Sequence, residues 1–208
     1  MDLHSVRMEY TGDDISQLPI EPYRAVELWL AEALKVEDDP TAFALATHSN
    51  ERLSVRIVLA KNIDQNGVVF YTNGVSSKGQ QIEAKAQAAG VFFWPKLHRQ
   101  LRFEGKVTHL AESDADAYFE SRPHDSRVAA YVSHQSQSIE SYKKLYEDFE
   151  KAKKNFAEKS IPRPPTWHGY TIAFECVEFW QGQPNRLHQR LLYTRTENDT
   201  YRREWLQP

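Results

Sequence analysis

From Pro22 onward apolar residues recur at helical spacing, with Val26, Trp29, Leu30, Ala33 and Leu34 on one stripe. Pro22 suits the first turn of that helix, where its missing N–H would have no partner. At Thr41 the period changes. The runs 42–47, 54–60 and 68–71 read as strands, separated by the turn-forming pairs Ser49-Asn50 and Asn66-Gly67. A short helix is predicted over 78–86, then strands over 88–94 and 100–110. In the last of these, Leu101, Phe103, Gly105 and Val107 alternate with Arg102, Glu104 and Lys106, giving one buried and one wet face. Ser113 and Asp116 offer a capping-box-like start to a helix that Pro123 closes. Tyr142, Leu145, Tyr146, Phe149 and Phe156 form the stripe of a longer helix over 141–156. A Pro-rich link over 161–165 leads into strands predicted over 170–177, 186–194 and 201–206.

Strands that come in runs, broken by peripheral helices, predict an α+β protein with an antiparallel sheet closed into a barrel. Residues 1–19 are polar and read as a mobile arm, leaving 20–208 as a single domain. The chain of 208 residues can bury a core without a disulfide or metal staple. Its net charge of −3 argues against a general polyanion-binding surface, so nucleic acid is not an expected partner. Phosphate chemistry must then rest on local clusters of Arg and Lys. Cys176 is the only cysteine, which excludes an intrachain disulfide, and its strand-like surroundings make it a small core residue. The N-terminus lacks the apolar stretch of a signal peptide, and no apolar run approaches the roughly 20 residues that span a bilayer. A cytoplasmic, membrane-free location is the expectation. Gly-rich phosphate loops and metal-spaced His or Cys pairs are both missing, which disfavours Rossmann, P-loop and metal chemistry.

The candidate chemistry lies on strands and helix ends. In 54–61, Arg56 shares a strand face with Val58 and Ala60, while Lys61 shares the other with Ile57 and Leu59. This fits either an edge arginine with a solvent-facing lysine, or a strand lying along a ring with two cations reaching different anions. Tyr71, Thr72 and Asn73 bring polar groups to a strand end. Ser76-Ser77-Lys78 precedes a helix and offers backbone N–H groups and an ammonium to an anion. Tyr118 lies four residues before Arg122, with Ser126 just beyond the break, so a phenol, a guanidinium and a hydroxyl can meet a phosphomonoester. Alternation puts Arg186, His188 and Arg190 on one strand face, where cations need water, carboxylates or an anionic ligand. Trp180 is close by in sequence and can pack on a flat cofactor.

Taken together, Arg-Ile-Val-Leu-x-Lys (56–61), Phe-Tyr-Thr-Asn (70–73), Arg99-Gln100, Ser-Arg-Pro-x-Asp-Ser (121–126), Gln135-Ser136, Glu-Phe-Trp-Gln-Gly (178–182) and Arg-Leu-His-x-Arg (186–190) resemble the pyridoxine (pyridoxamine) 5′-phosphate oxidase family. The likeness runs over nearly the whole chain. It implies a split β-barrel that dimerises with FMN at the subunit interface. It also implies oxidation of pyridoxine or pyridoxamine 5′-phosphate to pyridoxal 5′-phosphate, with O2 reduced to H2O2. By the resemblance, Arg56 and Lys78 serve the FMN phosphate. Ile57, Val58, Leu59, Lys61, Tyr71, Thr72, Gln100, Gln135, Ser136, Trp180 and Arg190 complete the flavin site. Lys61, Tyr118, Arg122 and Ser126 hold the substrate phosphate, Arg186 and His188 orient the pyridine ring as the catalytic pair, and Arg7 and Tyr10 close as a lid.

Two other functions fit such a chain: a related flavin oxidase acting on another aromatic, such as a phenazine precursor, and a flavin- or pyridoxal-phosphate-binding protein without turnover. The sequence also departs from the family pattern once. Ser77 stands where an arginine usually precedes the lysine, giving a hydroxyl in place of a charge. FMN is therefore expected to bind less tightly than in typical members, and Ser77→Arg should tighten it; equal affinities of the two proteins in a fluorescence titration would reject this.

Overall fold

The computed structural model describes residue 4 and residues 8–49 and 52–208. Helix α1 (Pro22–Val36) starts at its proline and buries Pro22, Ala25, Val26, Trp29 and Ala33 against the sheet. Leu34, predicted on the same stripe, is exposed instead. The strands are β1 (Ala42–His48), β2 (Leu53–Leu59), β3 (Asn62–Asp64), β4 (Gly67–Asn73), β5 (Gln87–Trp94) and β6 (Arg99–His109). After the helical region come β7 (Trp167–Ile172), β8 (Cys176–Gln181), β9 (Gln189–Arg195) and β10 (Tyr201–Leu206). The other helices are α2 (Ser77–Ala84), α3 (Glu112–Ser121), α4 (His124–Val132) and α5 (Tyr142–Asn155). Every strand pairing is antiparallel, in the order β10-β9-β8-β6-β5-β1-β2, with β3, β4 and β7 forming a side branch. The architecture is the expected α+β antiparallel split barrel with helices at its periphery.

The branch arises on β6. Residues Arg99–Glu104 pair with β8, whereas Val107–His109 pair with β7. Between them the bend at 173–175 crosses β6, its N–H groups reaching Lys106 O and Glu104 O. Gly105 permits that crossing, because a Cβ there would lie 2.2 Å from the Ala173 carbonyl oxygen. The single strand expected over 170–177 is thus two strands. A continuous apolar run hid the bend.

Rows of directly paired residues cross the sheet and fix its two faces. Arg56, Leu45, Gly90, Phe103, Val177 and Tyr193 form one inward row, of which all but the terminal arginine are buried. Phe43, Phe70, Phe92, Phe103 and Tyr170 pack around it as tilted, edge-on and stacked rings. The outward rows include Ile57, Ala44, Val91, Arg102 and Glu178, and beside it Phe93, Gln100, Trp180 and Arg190. This outward face is unusually apolar at its β2 edge, where Leu53, Val55 and Ile57 are exposed.

Four further expectations are corrected. Ala111, not Ser113, precedes α3, and no side chain caps it; Glu112 and Asp114 in its first turn complement the helix dipole instead. Pro123 ends α3 as expected but then opens α4, so Ser126 lies within a helix. Cys176 is half-buried on the outward face beside Glu104, not in the core, and burial pushes its thiol pKa up. On α5, Tyr142 and Tyr146 are exposed, and Ala152 is the buried residue. Among the described residues no helix is long and apolar enough to cross a membrane.

Adding one methyl at the branch point tests its role. Gly105→Ala should destabilise the fold by about 1–3 kcal/mol through overpacking against backbone. Urea denaturation at fixed protein and cofactor concentration would show it, and an unchanged midpoint would contradict the close crossing.

Candidate active site

A cleft of about 700 Å³ opens between β2 and β4, with α4 along one side. Arg56, Ile57, Val58, Leu59, Lys61, Tyr71, Thr72, Lys78, Tyr118, Arg122, Ser126 and Gln135 all line it, so twelve of the residues singled out in the sequence meet in one place. β2 is the edge strand, and its side chains meet the cleft from both faces. Ser76 caps α2 by accepting from the Gly79 N–H and is itself fully buried. That cap fixes the first turn of α2, on which Lys78 stands.

The electrostatics of the cleft are one-sided. Arg56, Lys61, Lys78 and Arg122 line it together, and the lining holds no carboxylate among the described residues. Arg56 donates to Leu45 O at 3.1 Å, Thr47 Oγ1 at 2.5 Å and Gln81 Oε1 at 3.4 Å. Lys78 Nζ donates to Thr72 Oγ1, Ser76 Oγ and Gln135 Oε1 at 3.1–3.4 Å. All of these partners are neutral. Burial, and secondarily the Arg56 charge, pulls the Lys78 ammonium down to about 8. Burial also lowers Arg56 and Arg122 from the ordinary guanidinium value. The Arg122 Nη1 is buried without a hydrogen-bond partner, and its guanidinium packs over the Phe119 and Trp167 rings.

Tyr118, Tyr71 and Trp167 form an aromatic wall, Tyr71 stacking on Tyr118 at 4.1 Å and on Trp167 at 5.1 Å. Arg122 lies over Trp167 at 5.2 Å. Trp167, Thr47 and Gln81 escaped the sequence reading. Trp167 follows the Pro-rich link and is held by Arg163, which donates to its carbonyl and to Asp116 and Glu112. The two carboxylate contacts span distant sequence, and nothing local signals them.

A second cluster stands elsewhere on the same chain. Gln100, Trp180 and Arg190 share one outward row, with Trp180 four strand steps from Arg56. At about 4.8 Å per strand that is about 19 Å of sheet. Trp180 packs on His188 at 4.7 Å, and Tyr10 meets both rings edge-on at 5.6 Å. Arg190 donates to the buried Glu178 carboxylate at 2.7 Å, which raises its pKa. The Gln183 N–H donates to His188 Nδ1 at 3.1 Å, so the neutral ring carries its proton on Nε2. Burial, then the Arg186 charge, holds the His188 pKa below its ordinary value.

Alternation predicted Arg186, His188 and Arg190 on one strand face, but only Arg190 lies on the strand. β9 begins at Gln189, and Asn185 and Arg186 take left-handed backbone with φ of 55° and 61°. Arg186 is exposed there. Ser136 is likewise exposed and left-handed, next to Gln135 but outside the cleft lining. Arg7 lies outside the described residues. One chain therefore carries two separated groups of expected site residues rather than one complete site.

Comparison with known proteins agrees with this geometry. The family model described as Pyridoxamine 5′-phosphate oxidase matches residues 30–156, and that described as Pyridoxine 5′-phosphate oxidase C-terminal dimerisation region matches 167–208. The chain belongs to the pyridoxine (pyridoxamine) 5′-phosphate oxidase family. Curated pyridoxine/pyridoxamine 5′-phosphate oxidases from Actinobacillus pleuropneumoniae serotype 3 (strain JL03) and Haemophilus influenzae (strain 86-028NP) are 41% and 42% identical to it. Both matches cover 100% of each chain. Among solved structures, PhzG from Burkholderia lata 383, in complex with tetrahydrophenazine-1-carboxylic acid, superposes with a TM-score of 0.88 at 31% identity. That match covers 92% of this chain and 95% of the other. A pyridoxamine 5′-phosphate oxidase-related, FMN binding protein from Nostoc punctiforme shares the fold, with a TM-score of 0.74 at 16% identity over 92% of this chain and 100% of its own.

FMN fits what this oxidase-family chain presents. A phosphate can be met by Arg56 and Lys78, whose present partners are all neutral, and a flat ring by the backbone of β2. Lys78 supplies a pH test. A bound phosphate favours the ammonium, so affinity is highest below about pH 8 and falls as pH rises through it. Titrating the apoprotein with FMN from about pH 6.5 to 9.5 should show a loss of about tenfold, the worth of one charge-assisted hydrogen bond. Lys78→Met should flatten the profile, and a flat wild-type profile would count against this seat.

Proposed function

We propose that the protein is an FMN-dependent oxidase that converts pyridoxine 5′-phosphate or pyridoxamine 5′-phosphate to pyridoxal 5′-phosphate, reducing O2 to H2O2. The observation that carries this reading is the cleft with four cations and no lining carboxylate among the described residues, enough for two phosphate groups. Arg56 and Lys78 serve the phosphate of FMN. Ile57, Val58, Leu59, Lys61, Tyr71, Thr72 and Gln135 complete its seat. Arg122 takes the substrate phosphate together with Tyr118, Ser126 and Lys61, all in the cleft lining.

The second cluster belongs to the same site through a second copy of the chain. Ile57 and Leu59 of the cleft share the outward sheet face with Gln100, Trp180 and Arg190, and the β2 edge of that face is apolar and exposed. Pairing two copies through this face buries it and gives each cleft the partner's indole, imidazole and guanidinium groups. The dimerisation region matched at 167–208 supports that homodimer. Ser136, Gln100, Trp180 and Arg190 then join the flavin site, and Arg186 and His188 face the pyridine ring. Tyr10, with Arg7, covers it. One cysteine and a described chain without a membrane-crossing helix suit the cytoplasm.

Bound FMN supplies the two-electron acceptor and the route to O2. The protein's part is position and charge. Phosphate binding by Arg122 and Lys61 fixes the substrate's remote end, and His188 offers an Nε2 proton to the ring's polar substituents. Arg190, steadied by Glu178, brings positive charge to where reduction leaves excess negative charge.

The likeness to PhzG favours a second reading, an oxidase for a carboxylated tricyclic aromatic. Arg122, Tyr118 and Ser126 in the cleft favour the phosphate ester, and turnover of both substrate types decides. Removal of the remote anchor in Arg122→Ala should raise KM for pyridoxine 5′-phosphate by about 10- to 100-fold, with a smaller change in kcat. Arg186→Ala should lower kcat/KM while FMN stays bound. Normal KM in the first variant and normal turnover in the second would overturn these assignments.

A further inference from the structure

The expected N-terminal arm is docked from Tyr10 to Ile15. Ile15 is buried and its N–H donates to Gln189 Oε1 at 2.9 Å. Gln183 Nε2 donates to the carbonyls of Gly12 and Asp13 at 3.2 and 3.0 Å. The arm runs so close that a Cβ on Gly12 would sit 2.2 Å from Gly182 O, and one on Gly182 would sit 2.7 Å from the Tyr10 ring. Tyr10 is thereby set against His98 at 4.9 Å, and against Trp180 and His188.

At the root of this contact lies Arg99, 4% exposed, at the start of β6. Its Nε donates to Gln181 Oε1 at 2.8 Å, one Nη to Glu32 on α1 and the other to Asp13 on the arm at 3.1 Å. Its guanidinium also stacks over Trp29 at 4.7 Å. The fork thus ties three segments together: arm, helix and the end of β8. Gln100, next in sequence, pairs with Trp180, so the clasp is one residue from the site.

We infer that Arg99 and Asp13 are positioning residues, a clasp that holds the arm at its root so that Tyr10 lies over Trp180 and His188. The inference rests on the proposed role of Tyr10 as a cover for substrate. Arg99 keeps Glu32 as a counter-ion when Asp13 is lost, and the Asp13 side chain is 83% exposed, so Asp13→Ala removes the clasp without stranding a buried charge or opening a cavity. Gln183 also holds this segment through the Gly12 and Asp13 carbonyls, which the substitution leaves in place.

The experiment uses the full chain with FMN bound. In Asp13→Ala, amide exchange over residues 10–15 should speed up about tenfold, and KM for pyridoxine 5′-phosphate should rise about fivefold, an effect reduced by the exposure of Asp13. The kcat value and FMN affinity should stay near wild type, and Asp13→Glu should restore most of the KM. A purely structural role would instead move kcat and FMN affinity along with KM. Unchanged exchange overturns the clasp, and faster exchange with unchanged KM overturns its link to substrate binding. Tyr10→Ala separates the two claims: if its KM is normal the cover reading fails, while exchange in Asp13→Ala still judges whether Arg99 holds the arm.

Discussion

One long strand with two partners governs this molecule. β6 gives its first half to β8 and its second to β7, and the handover at Gly105 leaves no room for a side chain. Because β7 carries β4 with it, the side branch turns away and β2 remains an unpaired edge. The cleft is the gap so made. Its polar lining comes from the edge strand β2, the end of β4 and the ends of the neighbouring helices, whose backbone geometry is fixed by the core.

Charge then decides what the gap can hold. Three other cations are matched: Arg99 by Glu32 and Asp13, Arg163 by Glu112 and Asp116, Arg190 by Glu178. Arg56, Lys78 and Arg122 contrast with these, each partly buried and making no ion pair among the described residues. The lowered proton affinity of Lys78 is the local sign of that cost. An anion relieves it, and a phosphate dianion relieves it most. The chain as a whole is acidic, so the preference is confined to this cleft.

Much of this was legible in the sequence, since alternation and turn residues act locally. β1, β2, β4, β5, β6 and β10 lie within a residue or two of expectation, and twelve of the residues that line the cleft were singled out by their motifs. Failures came where tertiary contacts override local pattern. The bend at 173–175 is imposed by β6, and left-handed Asn185 and Arg186 delay β9 to Gln189. α4 follows directly on Pro123, which reads as a helix stop, so it went unseen. The separation of Arg56 from Trp180 was invisible as well, because motifs list residues without saying how many copies of the chain assemble them.

The bare apolar strip on β2 bears on how the protein would behave at low abundance. Leu53, Val55 and Ile57 face water in a lone chain, and Ile57 and Leu59 also wall the cleft. On the proposed pairing, simple dilution would loosen the coenzyme with no denaturant present, so a cell that makes few copies would hold a colourless, idle pool.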